Sequence, residues 1–444
     1  MNKETIKTII LTFLVGSSLF LTWNIWTYSP NVDPIDQSSY ISEVAISNKK
    51  QISEIIKPSQ VMLHDEPEHY GGTSDQATDL VLNEMYKWTF YNFKDISNSI
   101  SSQNFESFIH KSGTVELVFS DTVPFSLYKQ VINVEDREIR RDMEFDRILL
   151  APSDKDMEEN NVYFISTEGK QIYKFSVNAV PVKNVASRMY GEKKNLQPYK
   201  LLTITDYRYL YVPSEKLELD KYKYYAELLD VNKFKKALFP DPSLVKLDKI
   251  TRGQEFTDGA TIMNVYDDTM ILKYVNPSLK KSYPTDSSDL LKRSIDFINE
   301  HSGWEDNYRF AELSVEEQKT TFRLYLNGLP IYNEQGMSEL VQYWAGDELN
   351  RYNRPFFTLD FALDSENQTV SLPTGEEAFD LIKKNKDFQV ELLDNMTIGY
   401  KMNKDLTESQ SIFISLEPSW FYKYDGEWKQ LITEQTGGMQ YGLE

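Results

Sequence analysis

The most constraining feature of this chain is its first thirty residues. From Thr8 to Trp26 the chain carries no charge, and a helix of that length spans a hydrocarbon core of roughly 30 Å. Lys3 and Lys7 precede the stretch, and Asp33 and Asp36 follow it. The positive-inside bias places the N-terminus in the cytoplasm and everything after Pro30 outside. Trp23, Trp26 and Tyr28 cluster at the outer end, where amphipathic rings favour the headgroup layer. A cleaved signal peptide needs a small-x-small site after a shorter apolar core. Here the exit, Trp23-Asn24-Ile25-Trp26-Thr27-Tyr28, is bulky throughout. A retained single-pass anchor at the cell membrane is therefore expected, with an extracytoplasmic body hung from it.

The remaining length, within a chain of 444 residues, exceeds one ordinary core, so two or three domains are expected. With 28 Tyr and 24 Phe the body has ample apolar material to bury. The formal net charge of −20 disfavours nucleic acid, whose binding requires Lys and Arg to neutralise phosphates. The chain has no cysteine, which excludes disulfides, thiol catalysis and Cys-ligated zinc. In an exported chain this total absence fits a Gram-positive cell surface.

Residues 1–28 read as a cytoplasmic tip and transmembrane helix, and 29–57 as a polar stalk. An N-terminal α+β domain is expected over 58–213. Its pattern predicts a helix over 75–98, strands at 114–119, 145–151, 162–166 and 171–177, a short helix after Pro124, and one or two strands over 201–212. A central α+β domain, 214–285, opens with a strand and a helix from Val231 to Leu238, stopped by Phe239-Pro240. A meander follows, turning at Asp258-Gly259. A C-terminal α+β domain, 286–444, opens with a helix from Asp286 to Glu300 ended by Gly303. It continues with a hairpin around Asn327-Gly328, the preferred pair for a type I′ turn. Thr374 and Glu377 form a capping box for a helix to about Lys384, and three strands close the chain. Helices and hairpins alternate with few crossovers, so the fold class is α+β with antiparallel sheets and packed helices.

Chemistry-bearing motifs are sparse. The chain has no G-x-S-x-G elbow, H-E-x-x-H, phosphate-binding glycine loop or EF-hand. No catalytic, cofactor-binding or metal residue is assigned. Of four histidines, His64 and His69 flank Asp65, Glu66 and Glu68, the one local group with metal-ligand chemistry. An acidic surface turn leading to Gly71-Gly72 accounts for it as well. His110 and His301 fall near expected helix ends, a structural placement. Trp420-Phe421-Tyr422, with Tyr424 and Trp428, could stack on sugar rings. Alternating aromatics on a terminal hairpin more often pack into the core beneath. In the membrane helix, Thr8, Thr12 and Gly16 recur at i, i+4, i+8 and form a small-residue face on which a second helix could pack. The alternative is that Thr and Ser satisfy their own backbone.

The C-terminal third carries a resemblance. Ser294-Ile295-Asp296-Phe297-Ile298-Asn299-Glu300-His301-Ser302-Gly303, Arg323-Leu324-Tyr325-Leu326-Asn327-Gly328-Leu329-Pro330, Ile398-Gly399-Tyr400, Pro418-Ser419-Trp420 and Tyr424-Asp425-Gly426-Glu427-Trp428 resemble the YycH family in order and spacing. The anchor, stalk and total length match too. The resemblance implies a membrane-anchored, non-enzymatic regulator in the WalRK (YycFG) two-component system of low-GC Gram-positive bacteria. It implies three body domains, the last two YycI-like. It also implies association with YycI and the sensor histidine kinase YycG (WalK), setting kinase activity and so cell-wall metabolism, with no cofactor. The competing reading is a cell-surface carbohydrate-binding or cell-wall-modifying protein.

Overall fold

In the computed structural model, described residues are 3–27 and 49–432, apart from 137–138, 153–158, 206–207, 280–283, 364–367 and 406–411. The chain divides into an N-terminal segment, 1–42, and a body, 43–444.

The N-terminal segment is a helix, Lys3–Thr27. Leu11, Phe13, Leu14, Val15, Leu19, Phe20, Leu21 and Trp23 are all exposed on it. At 100° per residue they point in every direction around the helix. Ser17 Oγ donates to Phe13 O, and Thr22 Oγ1 donates to Ser18 O at 2.8 Å. These two hydroxyls thus satisfy their own backbone. Among the described residues no helix is long and apolar enough to cross a membrane; the side chains at 3–6, 8–10, 12 and 24–27 lie outside them.

The body is built on two large sheets. The first is ten-stranded and draws its strands from Gln60–Asp65 through Tyr209–Pro213. Its centre is Gln60–Asp65 beside Val115–Pro124, then Glu144–Ala151, Glu159–Ser166 and Gln171–Asn178, all antiparallel. Strand alternation sorts the side chains. Val61, Leu63, Val115 and Leu117 enter the main core, over which helices Asp75–Met85 and Ala179–Gly191 lie. Met62, Leu149 and Tyr163 enter a second cluster on the other face, joined by Phe105 and Ile109 of helix Ser102–Ile109.

The second sheet is fourteen-stranded and runs from Tyr222–Leu228 to Glu427–Gln430. Strand Ile271–Val275 pairs with Glu348–Pro355, and Tyr222–Leu228 pairs with both Phe357–Ala362 and Phe413–Tyr424. Strands from residues 222–275 and 308–430 therefore share one sheet, which crosses the boundary placed at 285/286. Two short pairs, Thr89↔Asn133 and Ile331↔Tyr400, are parallel within these antiparallel sheets.

Local signals produced their elements. Asp230 accepts from Asn232 N at the start of helix Val231–Leu238. Thr374 and Glu377 close a reciprocal capping box on helix Gly375–Lys383. Asn327 (φ 52°) and Gly328 (φ 81°) form the left-handed pair expected of a type I′ turn. Helix Ser287–Phe297 is extended by a π-turn, Ile298–Ser302, and stops at Gly303 with φ 69°. The helix read over 75–98 ends at Met85, because Thr89–Asp95 pairs as a strand with Gln171–Asn178. Trp88 is buried just before this strand and Phe90 within it, where aromatic residues fit as well as in a helix. Residues 50–57 of the stalk segment are packed, with Ile55 and Ile56 fully buried.

Candidate functional site

The body carries a cleft of about 710 Å³ between the second face of the first sheet and the second sheet. Gln60, Arg147, Tyr209 and Tyr211 line one wall; Tyr325 and Trp428 line the other. Contacts at its edge hold the two sheets together. The hairpin tip at Gly328 packs so closely on the first half that a Cβ there would lie 2.0 Å from Thr73 O. Asp121 accepts from Leu313 N at 2.8 Å and from Thr122 N at 2.8 Å. Burial pushes the Asp121 carboxyl up to about 6, against the pull of these two N–H groups. Arg309, 3 % exposed at its side chain, reaches Asp75 at 2.6 Å.

Behind the Arg147–Tyr211 wall lies a buried polar network. Strand register explains its assembly. His64 and His69 are cross-strand partners in the hairpin closed by the cis Glu66–Pro67 bond, and Glu116 is registered with Met62, two residues from His64 on the same face. Glu116 Oε2 lies 3.0 Å from His64 Nε2 and accepts from Tyr211 Oη at 2.6 Å, while Oε1 accepts from Arg147 Nη1 at 2.7 Å. Burial opposes ionisation of Glu116, yet the Arg147 guanidinium and the His64 contact outweigh it and hold the carboxyl below the usual carboxylate range. His64 Nδ1 and His69 Nδ1 are 3.0 Å apart. His110 closes the group, its ring centre 5.3 Å from that of His64 and 5.6 Å from that of His69. Burial pushes the His110 imidazole down to about 3, so it sits there neutral. Burial, then the neighbouring His64, also lowers His69.

The acidic neighbours read with His64 and His69 turn elsewhere. Asp65 pairs with Lys193 at 2.6 Å, and Glu68 accepts from Tyr70 Oη. His110 caps helix Ser102–Ile109 through its backbone, but its ring belongs to the histidine group and is uncharged, so it serves no helix dipole. His301 stacks on Phe297 at 4.5 Å. Trp420 and Phe421 are 2 % and 4 % exposed, and Phe421 stacks on Tyr332 at 4.1 Å, so these aromatics are core. For the helix face, Thr8 and Thr12 have side chains outside the described residues, while among the described residues no atom lies within 4 Å of where a side chain at Gly16 would start. Glu116, Arg147, Tyr209 and Tyr211 were not singled out from sequence. For Glu116 and Arg147 the signal was a charge inside a strand run, Val115-Glu116-Leu117 and Phe145-Asp146-Arg147-Ile148, because an inward charge needs a buried partner; Tyr209 and Tyr211 carried no such signal.

The YycH N-terminal domain model matches residues 4–194, and the YycH C-terminal domain model matches residues 207–437. This chain belongs to the YycH family. A family relative from Bacillus subtilis (strain 168), the two-component system WalR/WalK regulatory protein YycH, is 26 % identical over 442 residues, covering 96 % of this chain and 96 % of the relative. The crystal structure of YycH from Bacillus subtilis superposes with a TM-score of 0.74 at 22 % identity, covering 88 % of this chain and 99 % of that one. The YycH fold is thus shared, a mixed α+β fold dominated by sheets.

Proposed function

We propose that this chain is a non-enzymatic regulator of a WalR/WalK two-component system, anchored in the cell membrane by helix Lys3–Thr27 with its body outside the cell. One observation carries the reading: the match over 96 % of both chains to a protein named as the WalR/WalK regulatory protein YycH. In this reading the chain acts on the sensor kinase YycG (WalK) together with YycI, through membrane-helix and extracellular contacts, and so tunes cell-wall metabolism.

The exposed apolar residues around Lys3–Thr27 support the anchor, because lipid is the surrounding that accepts them on every side. Gly16 supports helix pairing, since a residue without a side chain lets a partner backbone approach closely. The carbohydrate-binding reading has less support: of the aromatics that could stack on sugar rings, Trp420 and Phe421 are buried in the core.

Co-purification from membranes tests the proposal. Tagged full-length chain, extracted in detergent, should bring down the histidine kinase and the YycI companion, and its deletion should change kinase autophosphorylation in those membranes. Recovery of neither protein, with unchanged phosphorylation, would overturn it.

A further inference from the structure

We propose that the cleft between the two sheets is a binding site for a neutral, polyhydroxylated ligand, a short oligosaccharide.

The cleft holds about 710 Å³. Small-molecule sites run to about 300–1,000 Å³ and form preferentially where two parts of a fold meet. The charged groups of its walls are fixed from behind. Arg147, 8 % exposed, has its Cζ 4.9 Å from the Tyr209 ring centre and donates to Glu116 at 2.7 Å. Arg323, 5 % exposed, has its Cζ 4.4 Å from the Tyr332 ring centre, and its Nε donates to Glu339 Oε1 at 3.1 Å. Glu116 and Arg147 both belong to the first sheet, and Glu339 is the cross-strand partner of Arg323 in the second. Neither ion pair crosses the gap. Each guanidinium is therefore held in place before a ligand arrives, and each has N–H donors beyond those its glutamate takes.

Charge decides the class of ligand. Among the described residues five cations and four carboxylates line the cleft. Besides the two buried arginine pairs, Arg208 pairs with Asp394 at 3.1 Å and Lys423 with Glu312 at 3.0 Å. Asp121 and Asp146 accept from the backbone N–H groups of Leu313 and Thr167. Glu168 and Lys170, at the exposed rim, have opposite signs. An ionic ligand finds no unmatched charge here, and a charge taken out of water without a partner is costly. A hydroxyl is donor and acceptor at once and carries no charge, so a polyol pairs with guanidinium and carboxylate alike.

Two half-buried side chains complete the site. Asn395 lines the wall, and its amide makes no hydrogen bond among the described residues. Trp428 presents an aromatic surface against which the C–H face of a sugar ring can lie. An extended peptide is the poorer fit. The first sheet ends at strand Tyr209–Pro213, but helix Gly375–Lys383 and strand Leu393–Asp405 lie against that strand. Gly375 is so close that a Cβ there would lie 2.1 Å from Val212 Cβ. No open strand edge is left in the cleft for a peptide backbone to pair with. A sugar bound here gives the body a ligand to sense; that consequence rests on the regulatory function proposed above, whereas the site itself rests on the cleft.

The test uses the full-length chain in a detergent without a sugar headgroup. It is titrated by calorimetry with neutral trisaccharides of glucose, galactose, mannose and N-acetylglucosamine. Trigalacturonate serves as the anionic control and the glucosamine trimer as the cationic one. The expected result is one neutral trisaccharide bound per chain, more tightly than either charged one. Trp428→Ala should bind it about tenfold more weakly, and Asn395→Ala should also lose affinity. Phe361→Ala, an exposed aromatic outside the cleft, should bind as the unaltered chain does. Asn395→Ala breaks no side-chain hydrogen bond of the described chain, so it reports even if Trp428→Ala fails to fold. Failure of every neutral trisaccharide to bind more tightly than about 1 mM overturns the proposal. So does tighter binding of either charged sugar, or binding that both cleft variants leave unchanged. No kinase enters this assay, so its failure is distinct from a failed co-purification.

Discussion

Lys50 and Asn299, 249 residues apart, exchange two hydrogen bonds: Lys50 N donates to Asn299 Oδ1 at 2.9 Å, and Asn299 Nδ2 donates to Lys50 O at 3.0 Å. The same Oδ1 accepts from Trp304 Nε1 at 2.7 Å, and Lys50 Nζ donates to Asp306 O at 2.7 Å. Seven residues on, Lys57 pairs with Asp79 at 2.8 Å. The segment that enters the body is thus held by both halves of it.

Removing the Asn299 side chain takes away the Oδ1 that accepts from both Lys50 N and Trp304 Nε1. Asn299→Ala should destabilise the body by about 1–3 kcal/mol, the cost of stranding buried donors. Hydrogen exchange should rise at residues 50–57 before it rises elsewhere. Uniform loss of protection across both sheets would show instead that Asn299 supports the whole core.

Asp75→Ala strands the Arg309 guanidinium, which is almost wholly buried beneath it. Breaking a buried pair by removing one partner is strongly destabilising. Asp75 is itself 42 % exposed, so solvent screens part of the loss and about 1–3 kcal/mol is expected. Denaturant unfolding measures it, and a change below about 0.5 kcal/mol, the size of an ordinary surface substitution, would remove this pair from the contacts that matter.

Two glycines separate backbone cost from contact cost. Gly336 has φ 87° and its nearest neighbour to a built Cβ is 4.0 Å away, whereas Gly328 has φ 81° and Thr73 O at 2.0 Å. Gly336→Ala should cost about 1–2 kcal/mol, the left-handed penalty alone. Gly328→Ala should cost clearly more, because the hairpin tip must also withdraw from Thr73. Equal losses in thermal unfolding would mean that the tip does not dock.

Asp121 predicts a pH dependence. Burial raises its folded value to about 6 from an ordinary 3.8, so the folded chain holds this proton more tightly than the unfolded chain. Its contribution to stability is complete below pH 3.8 and is lost as pH rises through 6. Relative to Asp121→Asn, the unaltered chain should lose thermal stability between pH 5 and pH 7. A difference that stays constant over that interval would place the group elsewhere on the titration scale.

Gly16→Leu tests the helix face. If the proposed function holds, interhelical terms in bilayers of about 1–2 kcal/mol mean that association with YycI and the kinase should weaken partially while export and body folding stay normal. Leu14→Ala, on another face, should do less. Membrane cross-linking compares the two, and equal association in both variants would assign the contact to the extracellular body.

What the sequence determined by itself is what neighbours along the chain decide. Asp230, Thr374 with Glu377, and Asn327-Gly328 act over three or four residues, so helices Val231–Leu238 and Gly375–Lys383 and the hairpin turn were legible where they stand. The apolar run that became Lys3–Thr27 was legible for the same reason. The tertiary structure decided the rest. Whether the chain from Thr89 to Asp95 continues a helix or forms a strand depended on the edge of Gln171–Asn178 waiting for it. That Ile271–Val275 pairs with Glu348–Pro355 depended on two strand edges 82 residues apart (Leu272↔Arg354) meeting in space. The histidine group is the same case: His64 and His69 were visible together, but His110, Glu116 and Arg147 joined them only through strand register and helix packing, because side-chain chemistry is written in the sequence and proximity is not.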